Sequence, residues 1–314
     1  MKKVLIIDKV NQVLVRELEK HGFSCDYFPG ITREEIESVI DRYNGLVLRS
    51  KIILDRELLS RAKNLKFIGR VGAGMEHIDT GYCDTLGIRC FHSPEGNRDA
   101  VGEHTLGMLL SLMNHLNRAD RQVREGKWIR EGNRGTEIKG KTIGIIGYGN
   151  MGSAFARRLK GFETEVISYD KYKTGYSDGN TQETTLGELF EKADIVSIHI
   201  PLTEETRYLC DGAFFHHFRK NILFINTSRG PIVNTKELAE MIRTGKVTAA
   251  ALDVLEYEDS SFENLAKKIP DELNFLLHSE NVLFTPHIAG WTAESDFKLS
   301  SVLAEKIVQA FREG

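Results

Sequence analysis

The run Gly147-Tyr148-Gly149-Asn150-Met151-Gly152 directly follows an apolar stretch, Thr142-Ile143-Gly144-Ile145-Ile146, and leads into a segment patterned as a helix. A strand, a glycine turn and a helix start in that order constrain the fold more than any other feature of the chain. The first glycine makes the tight turn, the second lets backbone approach a pyrophosphate, and the third lets helix pack closely on strand. The phosphates would lie on the helix N-terminus, where unpaired N–H groups and the macrodipole favour negative charge. The turn falls in mid-chain, so the residues before it must form something else, and that part is expected to bring the substrate.

At 314 residues the chain has room for about two domains, each with its own core. With 42 basic and 45 acidic residues and a net charge of −3, it lacks the electrostatic footprint expected for nucleic acid or an anionic membrane. An anionic small molecule would need local arginines instead. No stretch approaches a membrane span, and Asp8 cuts the N-terminal apolar run short of a signal-peptide core, so a cytoplasmic protein is expected. Cys25, Cys83, Cys90 and Cys210 lack Cys-x-x-Cys spacing and read as small buried thiols in a reducing cytosol; no metal site is expected.

Apolar runs predict strands at 4–8, 45–50, 65–71 and 88–91, alternating with amphipathic helices at 11–21, 32–43 and 55–64. Thr32 with Glu35 forms a capping-box pattern at one helix start. Such alternation implies right-handed crossovers and a parallel sheet. Residues 98–126 read as one long helix, with Val101, Thr105, Met108, Leu109, Leu112 and Leu116 at helical spacing, and 128–139 as an exposed arm. Alternation then resumes with strands at 142–147, 165–169, 194–200, 222–227, 247–254 and 281–284, the six expected of a dinucleotide-binding sheet. Residues 256–280 read as polar and irregular, and 292–311 as a terminal helix free to return to the first domain.

The strand after the glycine turn ends in Asp170, at the spacing where such folds place the acid that binds the adenosine ribose hydroxyls. This favours NAD, because a phosphate on that ribose would face the carboxylate; the neighbouring Lys171 and Lys173 pull the other way. Further on, three apolar runs are each followed by charged or titratable residues: Arg229; Asp253, Glu256 and Glu258; and His287. Ligands of open α/β sheets bind beyond the carboxyl ends of the strands, so these side chains can converge.

Several longer motifs stand in order along nearly the whole chain. They are Val71-Gly72-Ala73-Gly74 with Ile78-Asp79, Gly96-Asn97, Val101-Gly102-Glu103-His104, the run from Gly140 to Gly147, His199-Ile200-Pro201-Leu202-Thr203, Ser228-Arg229-Gly230 and Pro286-His287-Ile288-Ala289-Gly290. Through them the chain resembles the D-isomer-specific 2-hydroxyacid dehydrogenases. The resemblance implies an α/β protein of two doubly wound parallel-sheet domains. A Rossmann NAD-binding domain over 97–290 would be inserted into a flavodoxin-like substrate domain made of 1–96 and 291–314.

It also implies Arg229 as the cation that orients substrate, His287 as proton donor and acceptor, and Glu258 as its partner. The chemistry is independently sensible. A guanidinium binds a 2-oxo acid bidentately, an imidazole titrates near neutrality, and a carboxylate beside it selects the tautomer and stabilises the imidazolium. Spacing from Asp253-Val254 favours Glu258 over Glu256, although Asp259 stands where the family usually has proline. For the cofactor, the resemblance implies Gly147, Gly149, Asn150, Met151 and Gly152 at the phosphates and Asp170 at the ribose. His199, Ile200 and Pro201 would lie beside it, with Thr227, Ser228, Ala289 and Gly290 lining it and Asp253 holding the nicotinamide carboxamide. For the substrate carboxylate, backbone N–H groups around Ala73 and Gly74 can form an anion-binding nest. Arg49, Ser50, Asn97, Arg98 and Trp291 are further substrate candidates. Arg98 stands where the family commonly has a small hydroxyl residue, which suggests a second anionic group on the substrate or a surface arginine.

The expected function is NAD-dependent hydride transfer between a D-2-hydroxy acid and its 2-oxo acid, with 3-phosphoglycerate and phosphohydroxypyruvate as the leading pair. A glyoxylate or hydroxypyruvate reductase is the near alternative, and an NAD(H)-sensing corepressor-like protein the rival from another class. The two domains are expected to close with hinges near 96–98 and 288–292, and the protein to be a homodimer. Family members acting on phosphoglycerate often carry a C-terminal regulatory domain, which a chain ending at Gly314 is expected to lack, and with it feedback by serine.

Overall fold

The structure is a computed structural model and describes residues 2–259, 265 and 269–312. They divide into two compact units, residues 2–98 with 291–312, and residues 99–259 with 265 and 269–290.

In the first unit, β1 (Lys2–Ile6), β2 (Phe23–Tyr27), β3 (Gly45–Leu48), β4 (Phe67–Arg70) and β5 (Arg89–His92) form a parallel sheet in the order β2-β1-β3-β4-β5. The crossovers carry α1 (Gln12–Lys20), α2 (Arg33–Val39), α3 (Arg56–Arg61) and α4 (Thr80–Thr85). Alternate strand residues feed opposite faces: Leu5, Leu46 and Leu48 enter one core cluster, Val4, Ile6 and Val47 the other. A sheet buried on both faces therefore reads as short unbroken apolar runs. β2 escapes that signal. It is an edge strand paired only with β1, and only Phe23 of its five residues is fully buried. At α2, Thr32 and Glu35 make the reciprocal capping bonds.

In the second unit, α5 (Arg98–Met113) and α6 (Leu116–Arg124) precede β6 (Thr142–Ile146), α7 (Asn150–Arg158), β7 (Glu165–Tyr169) and β8 (Gln182–Glu183). There follow α8 (Leu186–Lys192), β9 (Ile195–Ile198), α9 (Gly212–His217), β10 (Ile222–Asn226), α10 (Thr235–Arg243), β11 (Val247–Leu252), α11 (Asp271–Leu277) and β12 (Val282–Phe284). The parallel sheet runs β12-β11-β10-β9-β6-β7-β8, one two-residue strand more than the patterning predicts. The expected long helix over 98–126 is broken at His115, which takes a left-handed φ of 52°. Histidine tolerates that conformation better than a branched residue does. Met108 and Leu109 of α5 pack with Ile143, Ile145 and Phe155 in the core on one face of this sheet. The stretch expected to be irregular contains α11, started by Pro270 and anchored by buried Leu273 and Leu276; its residues 260–264 and 266–268 lie outside the described ones.

The final helix, α12 (Ala293–Arg312), completes the first unit. Its Leu299, Leu303, Ala304 and Ile307 are buried with Val4, Ile6, Leu14, Leu18 and Phe67. Each large apolar side chain so buried contributes roughly 1.5–3 kcal/mol. Among the described residues no helix is long and apolar enough to cross a membrane.

Candidate active site

The order of the seven-stranded sheet reverses between β6 and β9, the switch point at which open α/β sheets bind ligands. Gly147 leaves β6 with a φ of 92°, and a methyl group on it would stand 2.5 Å from the carbonyl oxygen of His199, the residue that leaves β9. Gly152 brings α7 onto the turn, since a methyl there would meet the Gly147 carbonyl oxygen at 2.1 Å. Gly149, the N-cap of α7, supplies no side-chain bond to the helix, and a methyl built on it meets nothing within 4 Å. The first-turn N–H groups, beginning at Asn150 and Met151, thus face open space rather than a capping side chain, which fits a pyrophosphate.

Asp170, just beyond β7, accepts the Tyr148 N–H at 2.9 Å on Oδ2 and the Tyr172 N–H at 3.0 Å on Oδ1. A carboxylate has about four acceptor positions, so ribose hydroxyls can still donate to it. His199 is buried beside the turn. Its Nε2 bonds Ser197 Oγ at 2.8 Å, its Nδ1 is buried without a partner among the described residues, and burial pushes its pKa down to about 3, leaving the ring neutral. The Ile200 side chain lies 2.8 Å from where a Gly147 methyl would be, and the Pro201 carbonyl accepts Thr206 Oγ1 at 2.7 Å.

Beyond β10, β11 and β12 the structure gathers the remaining candidates of this unit. His287 Nδ1 lies 2.7 Å from Glu258 Oε2, while Glu256 turns to Tyr208 Oη at 2.8 Å and the Thr235 N–H at 3.1 Å. His287 adopts a left-handed φ of 54°, with its N–H bonded to the Asp253 carbonyl at 2.7 Å. Strained backbone of this kind persists only where the surroundings over-determine it. Asp253, only 2% exposed, supplies that determination. Its Oδ1 accepts Thr285 Oγ1 at 2.6 Å and the Ile288 N–H at 2.9 Å, and its Oδ2 accepts the Ala289 N–H at 2.9 Å. Both oxygens thus hold the loop that carries His287 and leads to Gly290.

Arg229 stands between β10 and α10. Asn226, fully buried, accepts the Ser228 N–H and hydroxyl on Oδ1 and donates from Nδ2 to the Arg229 carbonyl at 3.0 Å, and Arg229 Nη1 donates to the Ser228 carbonyl at 2.7 Å. Gly230 lets this loop nest against the one bearing Glu258, for a methyl there would sit 2.0 Å from the Leu255 carbonyl. Thr227 Oγ1 meets Thr105 Oγ1 of α5 at 3.1 Å.

Two residues without a role in the sequence reading belong here. His104 Nε2 bonds Thr285 Oγ1 at 3.0 Å and lies 3.6 Å from Asp253 Oδ1, and Thr285 itself bridges the two. His104 sits in one of the resemblance-bearing motifs, but nothing in its local pattern points to a residue 181 positions away.

The first unit holds the other candidates. Arg49 ends β3 at that sheet's own switch point, its N–H taken by Asp8 Oδ2 at 2.5 Å. Its guanidinium lies 4.6 Å from the Trp291 ring centre and 3.2 Å from Asp296 Oδ1. Ser50 follows, half-buried. Arg70, not singled out from sequence, donates from Nε to the Arg49 carbonyl at 3.1 Å; its Nη1 lies 1.4 Å from where a methyl on Gly72 would be, so the guanidinium rests against the turn before Ala73 and Gly74. His92 Nδ1 bonds the Ala73 carbonyl at 2.6 Å. Asn97 Oδ1 and Arg98 Nε are buried without a partner among the described residues, which leaves them for a ligand or water.

Comparison with known proteins identifies the family. The family description "D-isomer specific 2-hydroxyacid dehydrogenase, NAD binding domain" matches residues 106–289. D-3-phosphoglycerate dehydrogenase of Archaeoglobus fulgidus is 35% identical over 98% of this chain, which spans 56% of that relative; the chain thus covers little more than half of such a protein. Hydroxypyruvate reductase of Thermotoga maritima is 34% identical over 88% of both chains. Among solved structures, D-lactate dehydrogenase from Aquifex aeolicus, complexed with NAD and lactic acid, superposes with a TM-score of 0.82 at 28% identity, covering 100% of this chain and 96% of the other.

Proposed function

Because the chain belongs to the D-isomer specific 2-hydroxyacid dehydrogenase family, we propose that it interconverts a D-2-hydroxy acid and its 2-oxo acid, and that the pair is 3-phosphoglycerate and phosphohydroxypyruvate. NAD, bound across Gly147–Gly152 and Asp170, supplies the hydride acceptor. The observation that carries the reading is the His287–Glu258 pair at 2.7 Å. The carboxylate on Nδ1 orients the neutral ring with its proton on that nitrogen, so Nε2 is the atom that takes the hydroxyl proton as hydride departs. Glu258 then stabilises the imidazolium, and in the reverse direction that imidazolium protonates the developing alkoxide. Arg229 offers a planar fork to the carboxylate and the 2-oxygen, aligning the reacting carbon and polarising the carbonyl.

Arg70 supports a phosphorylated substrate, since its guanidinium rests against the Gly72 turn and adds a cation to the N–H groups that a carboxylate would use there; Arg49, whose carbonyl Arg70 holds, is proposed as a second cation for it. Asn97 and Arg98 are proposed as further substrate ligands and Trp291 as the support of Arg49. The equal 88% coverage of hydroxypyruvate reductase favours the unphosphorylated substrate as a second reading. We also propose a homodimer formed through α6 and the arm, where Leu116, Val123, Trp128 and Ile129 are 53, 52, 80 and 46% exposed; a monomer by sedimentation would exclude it. The test of function is NADH oxidation against a panel of 2-oxo acids. Highest kcat/KM on phosphohydroxypyruvate is expected, and no turnover of any member overturns the reading.

A further inference from the structure

Tyr148, between the first two glycines, is held on four sides by the segment that follows β7. Asp170 takes its N–H at 2.9 Å, Lys173 Nζ donates to its carbonyl at 3.0 Å, and Asp178 Oδ2 accepts its hydroxyl at 3.0 Å. The Tyr176 ring stacks on its ring at 5.1 Å and 24°. The ribose-side acid and the Lys173 ammonium are thereby fixed to the two ends of one residue in the phosphate-binding turn.

The two lysines beside Asp170 differ in their surroundings. Lys171 pairs with Glu205, which also takes the Tyr172 hydroxyl at 2.5 Å. Lys173 meets only a carbonyl, with no carboxylate within 4 Å among the described residues. A carbonyl dipole does not neutralise an ammonium, so this charge stays available to an anion, and its four-carbon stem is flexible enough to follow one.

We propose that Lys173 is a specificity-determining residue for the cofactor: its ammonium can bind a phosphate ester on the adenosine ribose, and Asp170 prevents this by repelling that ester. The proposal rests on Asp170 as the ribose ligand. In the native protein the carboxylate decides for NAD. With the carboxylate removed, the chain already holds the cation that a ribose phosphate needs.

Calorimetric titration with NADH and with NADPH tests this without turnover, on the native protein, Asp170→Ser, Asp170→Ser/Lys173→Met and Asp170→Ser/Lys173→Arg. Asp170→Ser is expected to tighten NADPH relative to NADH by tenfold or more, and adding Lys173→Met to weaken NADPH about tenfold with NADH within about twofold, as for one charge-assisted hydrogen bond. Lys173→Arg should keep NADPH tight. If Lys173→Met leaves NADPH affinity unchanged, or weakens both cofactors equally, the proposal fails while the ribose role of Asp170 stands. If Asp170→Ser does not alter the preference, the ribose reading itself fails and takes the proposal with it.

Discussion

The loop bearing His287 and the turn beside Arg49 and Arg70 are held in different ways. At the first, buried Asp253 grips the loop through Thr285, Ile288 and Ala289, and Glu258 grips His287 and the Leu255 N–H. These are short, charge-assisted bonds, those of Asp253 made by a buried carboxylate, which fix geometry strongly. At the second, Arg49 rests on an exposed Trp291 ring and a partly exposed Asp296, and Arg70 on a backbone carbonyl. A partly exposed ion pair such as Arg49 with Asp296 is individually weak. On the proposed function, the contrast separates two roles: the loop bearing His287 would set the chemistry, and the cations of the first unit would set which acid is accepted.

Substitutions at His287, at Asp253 that grips its loop, and at Arg229 after β10 should lower kcat for every substrate alike. His287→Asn is expected to cost about 10³-fold in kcat with NADH affinity retained, within the range for general acid–base catalysis. Arg229→Lys and Asp253→Asn should each cost about 10²-fold, the first because an ammonium cannot reproduce the fork, the second because an amide NH₂ would face the loop's own donors. Either loss confined to one substrate would break the comparison.

Substitutions in the first unit should act on KM and only for a phosphorylated acid. Arg70→Met is expected to raise KM for phosphohydroxypyruvate about tenfold, with that for hydroxypyruvate changed less than about twofold. Trp291→Leu should have a smaller effect of the same kind. A separate effect, outside this comparison, concerns stability. His199 titrates near 6.5 in the unfolded chain and about 3 in the folded one, so acid favours unfolding between those values. Stability should rise with pH through that window by at most about 1.4 kcal/mol per unit from this group, and His199→Asn should flatten the slope in urea melts.

The fold was legible wherever burial on both sheet faces leaves an unbroken apolar run, as at Leu46–Leu48 or Ile222–Ile225. It was not legible at Phe23–Tyr27, whose edge position lets Ser24 and Asp26 stand in the strand, nor at His115, where a backbone angle rather than composition breaks the helix. In the site, the glycine turn announces itself because each glycine answers a local steric demand. Asp253 was singled out as a cofactor residue, but its grip on the loop and the place of His104 were not legible, since their partners lie 32 to 36 and 181 positions away. Arg70 was hidden for a different reason: it reads as the polar end of β4, and only its place against Gly72 makes it a candidate ligand.

The most direct measurement is the ratio of kcat/KM for phosphohydroxypyruvate to that for hydroxypyruvate, taken with NADH on the native protein and on Arg49→Met/Arg70→Met. The account predicts a native preference for the phosphorylated acid that falls by about tenfold or more in the double variant, with kcat for hydroxypyruvate unchanged. An unchanged ratio, or a loss of kcat on both acids, would contradict it.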